Sequence, residues 1–241
     1  MLPRSAGSWD GLKILVSAGG TREPVDAVRF LGNRSSGQMG FALAEQAAAR
    51  GASVTVVAAN VGLDLPAGVP RVDVETTSQM AEALYSRFGE SDVLLMAAAP
   101  ADFSPRGELP SGKLSRREGP RSLDLEPTED ILSSLAARRR DGQTLIGFAA
   151  EVGEGTSRAR KKLAEKGVDA IVLNDVSRGE IGFDSSDNEV VIVEAEEETL
   201  VPLASKQEIA AEILDRVDGI RGRSPRISDA AADASERFRS H

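Results

Sequence analysis

The sequence of 241 residues has no cysteine. Disulfides, thiolate nucleophiles and thiolate-held zinc are therefore excluded. A chain without a disulfide framework fits the cytoplasm. Histidine is nearly absent: the one copy is His241, the last residue. That removes Ser-His-Asp triads, histidine-held metals and imidazole acid–base catalysis. Long hydrophobic runs are missing as well. The longest, residues 93–99, is far too short to span a bilayer, and the N-terminus lacks the basic-then-apolar order of a signal peptide. Positive charge is in deficit. The net charge of −9 disfavours a general nucleic-acid or anionic-membrane binder, so neither is expected as a partner. Chemistry must come from Lys, Arg, carboxylates, amides, backbone donors or a bound metal ion. Any anion site must be a local cluster.

What is present is an α/β rhythm. Residues 12–18 form a short apolar run ended by Gly19-Gly20, as a buried strand should. Residues 38–50 are rich in Ala, Leu and Phe and stop at Gly51, which predicts a helix. Further strands are predicted at residues 54–58, 72–75, 92–98, 144–149 and 170–173. Helices are predicted at 78–88, 128–138 with Thr128 as cap, 156–166 and 206–217. Residues 189–193 and 199–203 read as a hairpin around an acidic turn. The expectation is a Rossmann-like, doubly wound, mostly parallel sheet with an antiparallel edge hairpin. Residues 1–11 read as a flexible lead-in, 12–220 as one domain and 221–241 as a disordered tail. Residues 103–125, rich in Gly, Pro and charge, interrupt the rhythm.

The first strand does not run straight into its helix. A polar loop, residues 21–37, intervenes. A dinucleotide fingerprint wants G-x-G-x-x-G and an acidic residue after the second strand. Here there is only Gly19-Gly20, and the second strand leads into Ala59-Asn60. The helix start at Ser35-Ser36-Gly37 is a candidate anion site, through free N–H groups and two hydroxyls, with Arg29 and Arg34 alongside. The plainer alternative is that Ser35 or Ser36 merely caps the helix. Asn33 offers a neutral amide for an oxyanion, but asparagine is also common in left-handed turns, and position alone favours the turn.

Residues 13–52, "KILVSAGGTREPVDAVRFLGNRSSGQMGFALAEQAAARGA", resemble the start of phosphopantothenoylcysteine synthetase, a coenzyme A enzyme often fused in bacteria to a decarboxylase domain. The stretches "AAAPADF", "GFAAE" and "VLNDVSRGEIGFDSSDNEV" agree. The similarity covers about residues 12–217 and is most specific in the first block. The resemblance implies a ligase. The 4′-phosphopantothenate carboxylate attacks the α-phosphate of CTP, pyrophosphate leaves, and the amine of L-cysteine displaces CMP from the acyl-cytidylate. Bringing two anions together implies Mg²⁺ and local cations. It also implies a cytoplasmic homodimer, with residues 103–125 and the terminal hairpin as candidate arms. The linker-like start favours a domain excised from a fusion over a standalone enzyme.

The resemblance also assigns residues. Asn33 matches the asparagine that contacts and processes the acyl intermediate, and Arg29 matches a motif arginine on the same loop. Ser35, Ser36 and Gly37 are the physical candidates for the 4′-phosphate. Met96, Ala97 and Ala98 fall on the nucleotide side, where small residues allow close approach; tight core packing explains them equally well by composition. Asp102 is assigned to the nucleotide or to Mg²⁺, against a plain turn aspartate. Lys113 matches the lysine of a mobile basic segment that closes over the reacting phosphate. The relatives' lysine-rich run is replaced here by Ser115, Arg116 and Arg117. Glu129, Asp130, Ile131 and Leu132 align with a nucleotide-binding stretch of which only Asp130-Ile131 is closely kept. Phe148 is a candidate for packing on the base, or a core residue. Lys162 and Lys166, four apart on one helix face, match two triphosphate-binding lysines, though unaided they read as a solvated face. The rival readings are an NAD(P)-dependent oxidoreductase and a nucleotide-binding regulatory module of similar architecture.

Overall fold

The computed structural model describes residues 9–107, 112–115, 117, 122–151, 155–175 and 187–223. Six strands are parallel: β1 (Lys13–Gly19), β4 (Ser53–Ala59), β5 (Arg71–Val74), β6 (Val93–Met96), β9 (Thr144–Glu151) and β10 (Ala170–Asp175). They lie in the order β5-β4-β1-β6-β9-β10. Counting parallel strands alone, this is 3-2-1-4-5-6, the strand order of the Rossmann fold. Antiparallel β11 (Asp187–Val193) and β12 (Glu198–Ser205) extend the edge beyond β10, as the hairpin reading expects. Pro202 lies in β12, on an edge, where a missing N–H costs little.

Burial explains the layering. In β1 every residue after Lys13 is buried, which a parallel strand covered on both faces requires. Helices α1 (Gln38–Ala49) and α5 (Lys206–Arg223) supply apolar side chains to one face. Helices α2 (Thr77–Phe88), α3 (Ile131–Ala136) and α4 (Gly155–Lys166) cover the other. Each fully buried Leu, Ile or Val contributes about 1.5–3 kcal/mol. Helix α1 packs very closely. A Cβ on Gly40 would sit 2.6 Å from the Ala18 Cβ, so glycine there lets helix and strand meet. Helix α2 opens with a capping box between Thr76 and Gln79.

Four details differ from the sequence reading. Trp9, within the expected lead-in, is core: it is 1% exposed, and its indole N–H donates to Asp218 at 2.6 Å. Thr128 does not cap a helix. Asp130 does, accepting from the Ser133 N–H at 3.1 Å, and the helix is correspondingly short. The loops at 21–37 and 103–125 each contain strand pairing, β2 (Arg22–Pro24) with β3 (Phe30–Gly32) and β7 (Phe103–Pro105) with β8 (Leu125–Pro127). Short runs holding Pro, Gly and Arg carry little periodic signal, so these ribbons escape a pattern-based reading. Helix α5 runs on to Arg223; the rest of the expected tail, and residues 1–8 of the lead-in, lie outside the described residues.

Candidate functional site

The order β5-β4-β1-β6 places a switch point between β1 and β6. The chain leaves β1 toward α1 on one face and β6 toward α3 on the other. Ligands of such sheets bind beyond the C-terminal strand ends at that crevice. The two exits are tied together. The Ala99 N–H donates to the Gly19 carbonyl at 2.8 Å, and Gly20 bridges Ala99. Buried Ser17 donates to the Met96 sulfur at 3.1 Å and accepts from the Ala98 N–H at 3.2 Å. Gly19 has φ 83°, and a Cβ there would meet the Ala59 carbonyl oxygen at 2.0 Å. Only glycine fits.

Beyond Gly20 the loop becomes an arm, β2–β3, that brings Asn33 back over the crevice. The Asn33 amide donates to the Pro100 carbonyl at 2.8 Å, so the arm touches the β6 exit through the residue singled out from sequence. Asn33 itself is exposed. Helix α1 then starts at Gly37, φ 76°, without a side-chain cap. Gly37 itself holds the cap position, so neither serine does; Ser35 accepts from the Gly37 N–H at a long 3.4 Å. A Cβ on Gly37 would collide with Val61 at 2.5 Å.

Sequence reasoning missed the groups that hold this crown. Thr21 and Thr77, both buried, share a hydrogen bond of 2.8 Å. Thr21 also accepts from the Ala101 N–H at 2.8 Å, and Thr128 donates to the Ala101 carbonyl at 2.5 Å. These bonds fix the backbone just before Asp102. Buried Glu23 accepts the Thr77 N–H at 2.8 Å. Asn60, at φ 54°, donates to the Gly20 and Glu75 carbonyls at 2.9 and 3.1 Å. It stands where a dinucleotide enzyme would place its ribose carboxylate, and its amide is spent on the loop. Asp26 accepts from Arg29 Nε at 2.8 Å, and Arg29 in turn donates to the Leu114 carbonyl at 2.8 Å. The Arg29 guanidinium holds the Asp26 carboxyl far below the usual carboxylate range. The only sequence signal for these residues was a polar side chain beside a glycine or an apolar run.

The nucleotide-side candidates divide. Lys166 pairs with Asp130 at 3.1 Å, joining α4 to the start of α3. Burial pushes the Asp130 carboxyl up, but hydrogen bonds from Ser133 and Lys166 outweigh it and leave the group below its ordinary value. Lys162 is half-buried on the same helix. Ala97, just past β6, and Phe148, within β9, are partly exposed; Asp102 and Lys113 are exposed. Met96, Ala98, Ile131 and Leu132 are buried. Their side chains pack in the core, so they offer a ligand backbone only. Gly147 makes room for Leu132, whose Cδ2 would lie 2.8 Å from an added Cβ. The Glu129 carboxylate is engaged by Tyr85 and by Ser134 at 2.7 Å. Those bonds, Tyr85 first, lower its pKa. It faces an open cavity of about 510 Å³ with Ser78 and Glu82, beside α2 rather than at the crevice.

Among the described residues no group of three or more His, Asp or Glu side chains could hold a metal ion. Asp102 is the exposed carboxylate at the crevice, and one carboxylate beside phosphate oxygens is a common Mg²⁺ arrangement. No helix among the described residues is long and apolar enough to cross a membrane.

Residues 9–220 match the family described as DNA/pantothenate metabolism flavoprotein C-terminal domain. The chain belongs to that family. It is 42% identical over 219 residues to the coenzyme A biosynthesis bifunctional protein CoaBC of Mycobacterium bovis, covering 86% of this chain and 52% of that protein. The CoaBC protein of Bacillus subtilis is 39% identical over 210 residues, with 86% and 51% covered. The chain thus spans about half the length of the curated relatives it matches. The crystal structure of the C-terminal domain of CoaBC superposes with a TM-score of 0.75 at 36% identity, covering 89% of this chain and 98% of that one. A Cab2 variant in complex with phosphopantothenate-cysteine has a TM-score of 0.74 at 20% identity, which bears on the fold alone. The family match spans both exits of the switch point and both lysine-bearing turns of α4.

Proposed function

We propose that this chain is a CTP-dependent phosphopantothenate–cysteine ligase of coenzyme A biosynthesis. The observation that carries the reading is the contact between Asn33 and Pro100 at 2.8 Å. It puts the loop assigned to the acid against the strand exit assigned to the nucleotide, so the two substrates would meet at the switch point. Two relatives named CoaBC and the CoaBC C-terminal structure support this choice.

The proposed division of labour is the one that the family resemblance implies. The start of α1 at its cap residue Gly37 offers N–H groups to the 4′-phosphate, with Ser35 and Ser36 beside it. The carboxyl end then lies toward Asn33. The β6 exit presents backbone at Ala97 and Ala98 to base and ribose. Lys162 and Lys166 are assigned to the triphosphate, Lys166 by exchanging its Asp130 partner for it, and Lys113 approaches from the arm side. The carboxylate attacks the α-phosphorus and pyrophosphate departs. The L-cysteine amine attacks the acyl carbon, and CMP leaves. Asn33 would have to exchange the Pro100 carbonyl for the acyl oxygen, donating to the charge that grows there. Mg²⁺, held by Asp102 and the nucleotide phosphates, would supply charge neutralisation at the triphosphate.

The protein is further proposed to work in the cytoplasm, as a homodimer and joined to a decarboxylase region as in its bifunctional relatives. The exposed apolar side chains Val28, Phe30, Phe103, Leu123 and Leu125 lie on and beside the two ribbons and suit a second copy. The deciding experiment mixes protein, 4′-phosphopantothenate, Mg²⁺ and either CTP or ATP, and follows pyrophosphate with and without L-cysteine. CTP-dependent pyrophosphate release, with CMP appearing only on adding cysteine, is expected. Nucleotide binding without cysteine-dependent CMP would point to a regulatory module instead.

A further inference from the structure

Asp26 has more partners than its turn requires. Its side chain is fully buried, 0% exposed, in the turn between β2 and β3. Oδ1 accepts the Val28 and Arg29 N–H groups, each at 2.8 Å. Those two bonds suffice for an ordinary aspartate turn. Oδ2 does something else. It accepts Arg29 Nε at 2.8 Å, Arg29 Nη2 at 2.5 Å and the Leu114 N–H at 3.0 Å. The same Nη2 donates to the Leu114 carbonyl at 2.8 Å. Both backbone polar groups of Leu114 are thus captured, by a charge pair lying 85–88 residues earlier in the chain. Charge-assisted bonds of this kind are the strong ones. Lys113 is the neighbouring residue, and it is exposed. The same arm continues into Asn33.

We infer that Asp26 is a positioning residue: through Oδ2 it docks the backbone at Leu114 and so sets the reach of the Lys113 ammonium. One short arm then places both Asn33 and Lys113. The kinetic half of this inference rests on the ligase reading; the docking half does not.

Asp26→Asn separates the two oxygens. The amide carbonyl keeps the turn bonds to Val28 and Arg29, while an NH₂ replaces the oxygen that accepted from Leu114. Trypsin cleaves after Lys113, and such cleavage tracks the opened population when reclosing is fast. In the full chain, cleavage after Lys113, followed by mass spectrometry, should rise by at least about tenfold in D26N, because Oδ2 no longer accepts from the Leu114 N–H or from Arg29 Nε and Nη2. On the ligase reading, kcat should fall by a similar factor while KM for phosphopantothenate moves less. Unchanged cleavage overturns the docking. Faster cleavage with unchanged kcat overturns the positioning role. A wild-type chain without ligase activity would sink the functional reading and leave the cleavage result to decide the docking. If D26N lowers Tm by more than a few degrees, a spin label on Ser115→Cys, in a chain with no other cysteine, reads the same contact. An immobilised label supports docking; one as mobile as in a free peptide overturns it.

Discussion

Strand β1 is buried at every residue after Lys13, whereas the arm that follows it leaves Val28 63% and Phe30 52% exposed. The two regions are adjacent in sequence and are held by different forces. The strand is fixed by apolar packing from helices on both faces. The arm is fixed by side chains that capture distant backbone groups: Asn33 on Pro100, Asn60 on Gly20, Asp26 and Arg29 on Leu114. Packing is dense and hard to deform, so it makes a good platform. Hydrogen bonds of modest net strength, partly open to water, can be exchanged for bonds to a ligand. A site that must grip a long anion and release its product is better built from the second kind.

The largest effect expected from breaking this contrast is on turnover. Asn33 is exposed and contributes nothing to the core, so Asn33→Ala should leave Tm nearly unchanged. If its amide stabilises the acyl intermediate, cysteine-dependent CMP release should fall by about 10²–10³, the usual cost of one lost oxyanion donor. The acyl-cytidylate should then accumulate and be detectable by quenching and mass spectrometry. Normal turnover by this variant would take Asn33 out of the mechanism.

The platform should respond in the opposite way. Gly40→Ala drives a Cβ to 2.6 Å from Ala18 and 3.0 Å from the Ser17 carbonyl oxygen. Neither neighbour is the end of a flexible side chain. Overpacking of this kind costs about 1–3 kcal/mol, so denaturant unfolding should show a lower midpoint with an unchanged slope. Kcat should suffer far less than in the Asn33 variant. A variant as stable as the wild type would mean that α1 and β1 slide apart freely.

This contrast also decides what the sequence disclosed. The platform was legible because each element has its own period or its own stop: the apolar run into Gly19-Gly20, the alanine-rich helix ending at Gly51. Around the crevice only the anion-site candidate at Ser35-Ser36-Gly37 was legible from its residues; the other site residues came through the resemblance, and the remaining groups that hold the arm through neither. Asp26 and Leu114 are far apart in the chain, and nothing near either residue marks the other as its partner. Thr128 shows the same difficulty at short range. It looks like a cap, but Asp130 takes the Ser133 N–H and frees Thr128 to hold Ala101. Trp9 was lost for a simpler reason. One aromatic residue in a polar lead-in has no periodic context, yet Asp218 on α5 and Arg50 just past the end of α1 enclose it.

The smallest expected effect concerns charge, and it too differs between the regions. Asp130 has a folded pKa below its ordinary value near 3.8. A carboxyl lowered on folding lends stability above its unfolded pKa, and this is lost as pH falls through the folded value. Asp218, beside Trp9 in the platform, is raised by burial against that hydrogen bond; its ionised form is disfavoured in the fold, so it acts with the opposite sign. Asp130→Asn keeps a competent helix cap and removes the charge that pairs with Lys166, together with the carboxylate oxygen that accepts from Ser133 Oγ at 2.8 Å. With Asp130 about half exposed, the loss at neutral pH should be below about 1 kcal/mol. It should shrink toward zero as the wild-type carboxyl protonates, so denaturation curves of the two proteins should converge below roughly pH 3.8. A gap that persists unchanged in acid would assign the stabilisation to the hydrogen-bond geometry of the cap, not to the Asp130–Lys166 pair.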